Sequence, residues 1–147
     1  LAAVLGLIVF AADQLTKLLV ESSMVLNESR PVLGDVFHLT YIQNSGGAFG
    51  LLAGSQLLLM VGSAVALGVV AWMLLVQPPS RAMASGGGLV LGGAAGNLLD
   101  RLSSSGVTDY LDLRVWPIFN LADVAIVCGV ALLVVNALFN QEPREKG

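Results

Sequence analysis

The stretch "FNLADVAIVCGVALLVVNALF", residues 119–139, decides how this chain folds. It is nearly unbroken apolar sequence with one carboxylate, Asp123, near its front. At about 1.5 Å of rise per residue, a helix of that length crosses a hydrocarbon layer of roughly 30 Å. An ionisable group inside such a segment is costly and needs a reason. The same combination recurs in "GGAAGNLLDRL" (92–102) and "FAADQLTKLLV" (10–20), so three segments share that need.

The rest of the chain fits a membrane setting. Of its 147 residues, 56% are hydrophobic and 12% charged, whereas soluble domains carry about 25% charged residues. A net charge of −3 leaves no basic patch to neutralise phosphates, which excludes nucleic acid as a partner. Four apolar stretches, about 1–20, 55–76, 83–102 and 119–139, are each long enough to span. The expectation is an all-α membrane protein, one membrane-embedded domain over 1–147, with outer loops 21–54 and 103–118. The first stretch contains Asp13 and Lys17 and has no basic leader or small-residue cleavage site, so it reads as a span rather than a cleavable signal. Because the chain starts in mid-helix, a short cytoplasmic leader is expected ahead of it.

The connections differ in kind. "QPPSRA" (77–82) is a tight turn whose prolines stop the preceding helix. The long segment 21–50 centres on "VFHLTYI" (36–42), which alternates Phe37, Leu39 and Tyr41 against Val36, His38, Thr40 and Ile42. That pattern predicts a strand in a small extracytoplasmic sheet between spans one and two. "SSSGVTDYLDLRVWPI" (103–118) reads as a shorter loop, with Tyr110 and Trp116 suited to the membrane interface and Asp112 and Arg114 solvated. Gly88, Gly92 and Gly96 form a ladder along one face of the third span, where another backbone can approach closely. Cys128 lies in an apolar run as a small packed or lipid-facing residue, His38 is a surface or packing residue, and Asn136 is a polar cap. An even number of spans puts both termini on one side. Arg81, Arg144 and Lys146 against Arg30 and Arg114 make that side the inner one.

With this alternation the polar residues of the spans fall at one depth. Asp13 and Lys17 are late in span one, Asn44 precedes span two, Asn97, Asp100 and Arg101 are late in span three, and Asn120 and Asp123 are early in span four. All lie at the outer end. Each ionised group at a helix centre costs roughly 2.5–3.5 kcal/mol. Five unpaired ones would cost on the order of 10 kcal/mol, comparable to a whole domain's stability. They must therefore face one another or a wet cleft. Asp13 and Lys17, one turn apart, can pair and lock span one to the bundle. Arg101 can serve Asp100 or a neighbouring helix, and that pair can also be an interfacial anchor. Asn97 and Asn120 suit interhelical hydrogen bonding. Asp123 has no cation within reach in its own span and needs a partner from elsewhere.

The chemistry this inventory supports is narrow. No metal-ligand cluster, no serine–histidine arrangement and no zinc-protease motif is present, and no cofactor is called for. Carboxylates remain, with Asp109 fourteen residues before Asp123 on the outer loop. Two aspartates at close range share one proton, so one acts as acid while the other activates a water against a peptide carbonyl. The pair titrates as a unit, and the sequence does not say which member holds the proton. The alternative is a small four-helix proton-coupled transporter, which requires a carboxylate reachable from both sides near the midplane. Acids gathered at one end argue against it.

Five blocks, "DQLTK" (13–17), "NSGGAFG" (44–50), "GGAAGNLLDR" (92–101), "VTDYLD" (107–112) and "FNLAD" (119–123), resemble in order and spacing the bacterial lipoprotein signal peptidases, or signal peptidase II. The resemblance implies an intramembrane aspartic endopeptidase of the bacterial inner membrane, multi-pass, its active site toward the periplasmic face. Such an enzyme cuts prolipoproteins before a cysteine bearing a diacylglyceryl group. It implies catalytic roles for Asp109 and Asp123, supporting roles for Asn44, Asn97, Asp100, Arg101 and Asn120, and a structural role for Asp13 and Lys17. Its partners are the lipid-modified precursor and membrane lipids, and it is expected to act as a monomer. Gly47 stands where alanine is more usual, which leaves that loop looser. The long outer segment is expected to clamp the peptide and the second loop to act as a lid.

Overall fold

Helices form where the apolar runs are, and their order is set by short polar interruptions. In the computed structural model they are α1 (Ala2–Ser23), α2 (Gln56–Val76), α3 (Arg81–Ser103) and α4 (Leu121–Phe139). The structure describes residues 1–45, 56–76, 78–104 and 106–139; most of the "NSGGAFG" block, Gly47 included, lies outside them. All four helices are long and apolar enough to cross a membrane, and their ends match the expected spans to within a turn. On α1, α2 and α4, large side chains such as Leu7, Leu18, Leu58, Trp72, Val127 and Phe139 are exposed. Helices with such apolar outer surfaces have lipid, not water, as their solvent.

The helix α3 is the exception and the centre, packed against the other three. Its buried surface is mostly glycine and alanine. A Cβ at Gly92 would lie 2.5 Å from the Gly6 carbonyl of α1, and one at Gly93 2.5 Å from the Ala122 carbonyl of α4. The glycine ladder thus does what its spacing predicts, bringing α1 into backbone contact, and a second glycine face does the same for α4. At the opposite end from the sheet, the Ser80 hydroxyl caps α3 by accepting from the Met83 N–H at 3.1 Å, and it donates to Asn136 Oδ1 at 2.8 Å. Asn136 therefore ties α4 to the start of α3.

Three antiparallel strands, β1 (Ser29–Leu33), β2 (Phe37–Asn44) and β3 (Val107–Asp112), form a sheet in the order β1-β2-β3. The predicted strand is β2. The third strand corrects the reading of 103–118 as loop, since Val107–Asp112 pairs with β2 in the register Ile42↔Asp109 and Asn44↔Val107. Its alternation was hidden because both faces are buried except at Leu111. Leu39, Tyr41 and Leu111 pack on Val20, Met24 and Tyr110, seating the sheet on the end of α1. Two further expectations fail for the same reason. Tyr110 is buried rather than interfacial, its hydroxyl donating to Thr16 Oγ1 at 2.7 Å. Asp112 is buried rather than solvated, accepting from Thr40 Oγ1 at 2.7 Å and from the Arg114 backbone N–H at 2.8 Å. His38 is half-buried on β2, with Nδ1 3.1 Å from Ser29 Oγ, and Cys128 is exposed on α4.

Candidate active site

The polar residues of all four segments meet where the sheet joins the bundle. The element that organises them is the start of α4. Asn120 precedes its first turn, with Oδ1 accepting the Asp123 N–H at 3.0 Å, while Asp123 Oδ2 accepts the Asn120 N–H at 3.2 Å. This reciprocal arrangement is a capping box, and it also places the Asp123 carboxyl at the positive end of the helix. Just upstream, Phe119 pairs with Leu111 through N–H···O contacts of 2.8 and 3.1 Å. That bridge lays the start of α4 beside β3 and hence beside Asp109.

Asp109 is 2% exposed. Its Oδ1 accepts from Asn120 Nδ2 at 2.7 Å and its Oδ2 from Asn44 Nδ2 at 2.9 Å. Asp123 Oδ1 accepts from Asn97 Nδ2 at 2.9 Å, and Asn97 Oδ1 in turn accepts from Asn120 Nδ2 at 3.1 Å. The two aspartates are thus joined through two asparagine side chains. Burial pushes the Asp109 carboxyl up to about 7; the Asn44 amide opposes this, and the neighbouring Asp123 adds to the rise. The hydrogen-bond partner that Asp123 lacks in its own span is supplied by an amide of α3, Asn97.

The cations are placed differently from the simplest sequence reading. Asp100 and Arg101 are adjacent on α3 and so point to different faces. Asp100 turns to α1, where its Oδ2 lies 2.6 Å from Lys17 Nζ and its Oδ1 accepts from Gln14 Nε2 at 3.0 Å. Among the described residues the Arg101 guanidinium forms no ion pair with Asp100: its Nη1 donates to the Asn97 carbonyl of its own helix at 3.1 Å, while its backbone carbonyl accepts from Gln56 Nε2 of α2 at 2.8 Å. Lys17 Nζ also contacts Asp13 Oδ2 at 2.7 Å and Asn97 Oδ1 at 3.0 Å. Asp13, fully buried, accepts the Ala122 N–H of α4 at 3.0 Å. The sequence reading passed over Gln14 and Thr16. The signal was helical spacing inside an apolar span, with Gln14 three residues before Lys17 and Thr16 three after Asp13.

A cavity of about 410 Å³ opens onto this cluster. Asn44, Asn97, Arg101, Asp109 and Asp123 form its polar wall, and Leu59 of α2, Trp116, Phe119, Ile126 and Val127 form much of the rest. A neighbouring apolar groove of about 380 Å³, lined by Leu113, Trp116, Phe119, Val124, Val127 and Cys128, reaches the same Asp123. A narrow polar wall with two linked carboxyls, set in apolar surroundings, suits hydrolysis of an extended amide delivered from lipid.

The fold and this cluster define a multi-pass membrane protein with a polar site at one end of a four-helix bundle. Its fold matches that of a bacterial membrane enzyme solved by the in meso method at 2.3 Å resolution, with a TM-score of 0.88 and 25% identity over 99% of this chain and 94% of that one. A lipoprotein signal peptidase from Halothermothrix orenii is 47% identical across 92% of this chain and 93% of its own length. Another from Moorella thermoacetica is 48% identical across 88% and 87%. The family model for signal peptidase (SPase) II matches residues 5–139. The chain belongs to the signal peptidase II family and is a membrane peptidase of that kind.

Proposed function

We propose that the protein is an aspartic endopeptidase that removes signal peptides from diacylglyceryl-modified prolipoproteins, cutting before the lipidated cysteine at the periplasmic face of the bacterial inner membrane. The observation that carries this reading is the Asp109–Asn120–Asn97–Asp123 hydrogen-bonded chain, whose Asp109, Asn97 and Asp123 line the cavity. Asp123, supplied with two N–H donors at a helix N-terminus, takes the proton of the attacking water. Asp109, whose burial favours the neutral acid, gives its proton to the scissile carbonyl oxygen. The tetrahedral intermediate collapses when Asp123 passes its proton to the leaving amine of the lipidated cysteine and Asp109 recovers the proton from the carbonyl oxygen. Arg101 and Asn44, on the same wall, hold the peptide backbone on either side of the bond. The apolar groove beside Asp123 takes an acyl chain of the substrate, so the lipid need not leave a greasy environment. The whole chain acts as one membrane-embedded unit, the sheet supporting the peptide and the segment before α4 covering it.

The test is substitution of each carboxyl by its isosteric amide. Asp109→Asn and Asp123→Asn are each expected to abolish cleavage of a lipid-modified precursor while the protein still inserts and keeps its thermal unfolding transition. Parental cleavage by either variant rejects the dyad.

A further inference from the structure

Lys17 does more than neutralise its neighbours. An ammonium has three N–H donors and no acceptor. All three are matched here: Asp13 Oδ2 at 2.7 Å, Asp100 Oδ2 at 2.6 Å and Asn97 Oδ1 at 3.0 Å. Two carboxylates already exceed the charge of one lysine, so the third contact is not needed for charge balance. Its effect is on the Asn97 amide. Because a lysine can only donate, the atom facing it must be the Asn97 oxygen, and the NH2 group must then face Asp123, 2.9 Å away. Turning that amide over would set its N–H donors against the ammonium. The Asn120 amide is fixed in the same manner, since its oxygen accepts the Asp123 backbone N–H. It therefore presents its NH2 both to Asp109 and to the Asn97 oxygen.

We infer that Lys17 is a positioning residue for peptide cleavage: acting through Asn97, it holds an N–H donor on the Asp123 carboxyl and so keeps that carboxyl in the orientation that takes the water's proton. This rests on the dyad reading given above. The contact is sheltered, Lys17 being 3% exposed and Asn97 5%.

Removing Lys17 alone would strand two buried carboxylates, so the test neutralises all three groups together, as Lys17→Met with Asp13→Asn and Asp100→Asn. That variant, Asn97→Ala, their combination and Asp123→Asn are compared with the parent in lipid vesicles on a synthetic diacylglyceryl-modified precursor peptide. The expected result is a fall in kcat on the order of 10- to 100-fold with KM nearly unchanged, as for residues that orient metal ligands. The fall should match for the triple variant and Asn97→Ala, and their combination should lose little more, because both break one relay. Parental kcat in the folded triple variant, or losses that multiply in the combination, overturns the role of Lys17 while leaving the dyad standing. Asn97→Ala leaves the three charged partners in place, so parental kcat in that variant overturns the relay even where the triple variant does not fold. Cleavage by Asp123→Asn overturns the dyad and the relay together.

Discussion

The pH dependence of cleavage tests the proposed acid directly. Asp109 is the group to follow, its carboxyl pushed up to about 7 chiefly by burial. If it delivers the proton to the carbonyl oxygen, kcat/KM should hold up to about neutral pH and then fall about tenfold per pH unit, since one unit above a pKa leaves about one group in ten protonated. The Asn44 amide, 2.9 Å from Asp109 Oδ2, stabilises the ionised form and holds that value down. Asn44→Ala removes this donor. A hydrogen bond to a charged group contributes roughly 1.5–3 kcal/mol, so the alkaline fall should begin about one to two pH units higher. The same residue sets a stability trend. Its folded value lies above the ordinary 3.8, so its contribution is fully present below about pH 4 and is lost as pH rises through about 7, by linkage. The thermal midpoint of the parent should therefore drop between pH 5 and 8, and Asp109→Asn should flatten that drop. Initial rates with the precursor peptide in vesicles, together with unfolding scans at matched pH, give both quantities. A profile flat from pH 6 to 9, or an alkaline limb that Asn44→Ala moves downward, refutes Asp109 as the acid.

Two packing predictions follow from the same structure. Gly92→Leu would drive a side chain into the Gly6 carbonyl and Val9 of α1, and overpacking of this kind costs about 1–3 kcal/mol or more; a lowered unfolding midpoint in detergent checks it, and an unchanged one contradicts the close α1–α3 contact. Ser80→Ala removes the cap of α3 and its bond to Asn136, which should cost about 1 kcal/mol of stability. It should leave kcat/KM unaltered, because the contact lies at the end of the bundle away from the site.

Much of the architecture is a local property of the chain and could be read from it. Span length, the alternation in 36–42, the prolines that end α2 and the glycine ladder of α3 each act over a few residues, and hydropathy and steric fit alone express them. The gathering of polar groups at one end follows from alternation of four spans and needs no coordinates. Choice of partner is different. Whether Asp100 meets Arg101 or Lys17 depends on how far α3 is rotated toward α1, and the glycines permit that rotation by letting the backbones touch. The burial of Tyr110 and Asp112 depends on β3 joining β2, a pairing between segments separated by two helices. The third bond of Lys17, which orients Asn97, exists only because α1, α3 and the start of α4 converge at one depth. The sequence determined what had to be paired, because an unpaired charge in lipid is too costly to keep. Tertiary structure alone decided the pairs, because helix rotation and strand register are set by contacts between segments far apart in the chain.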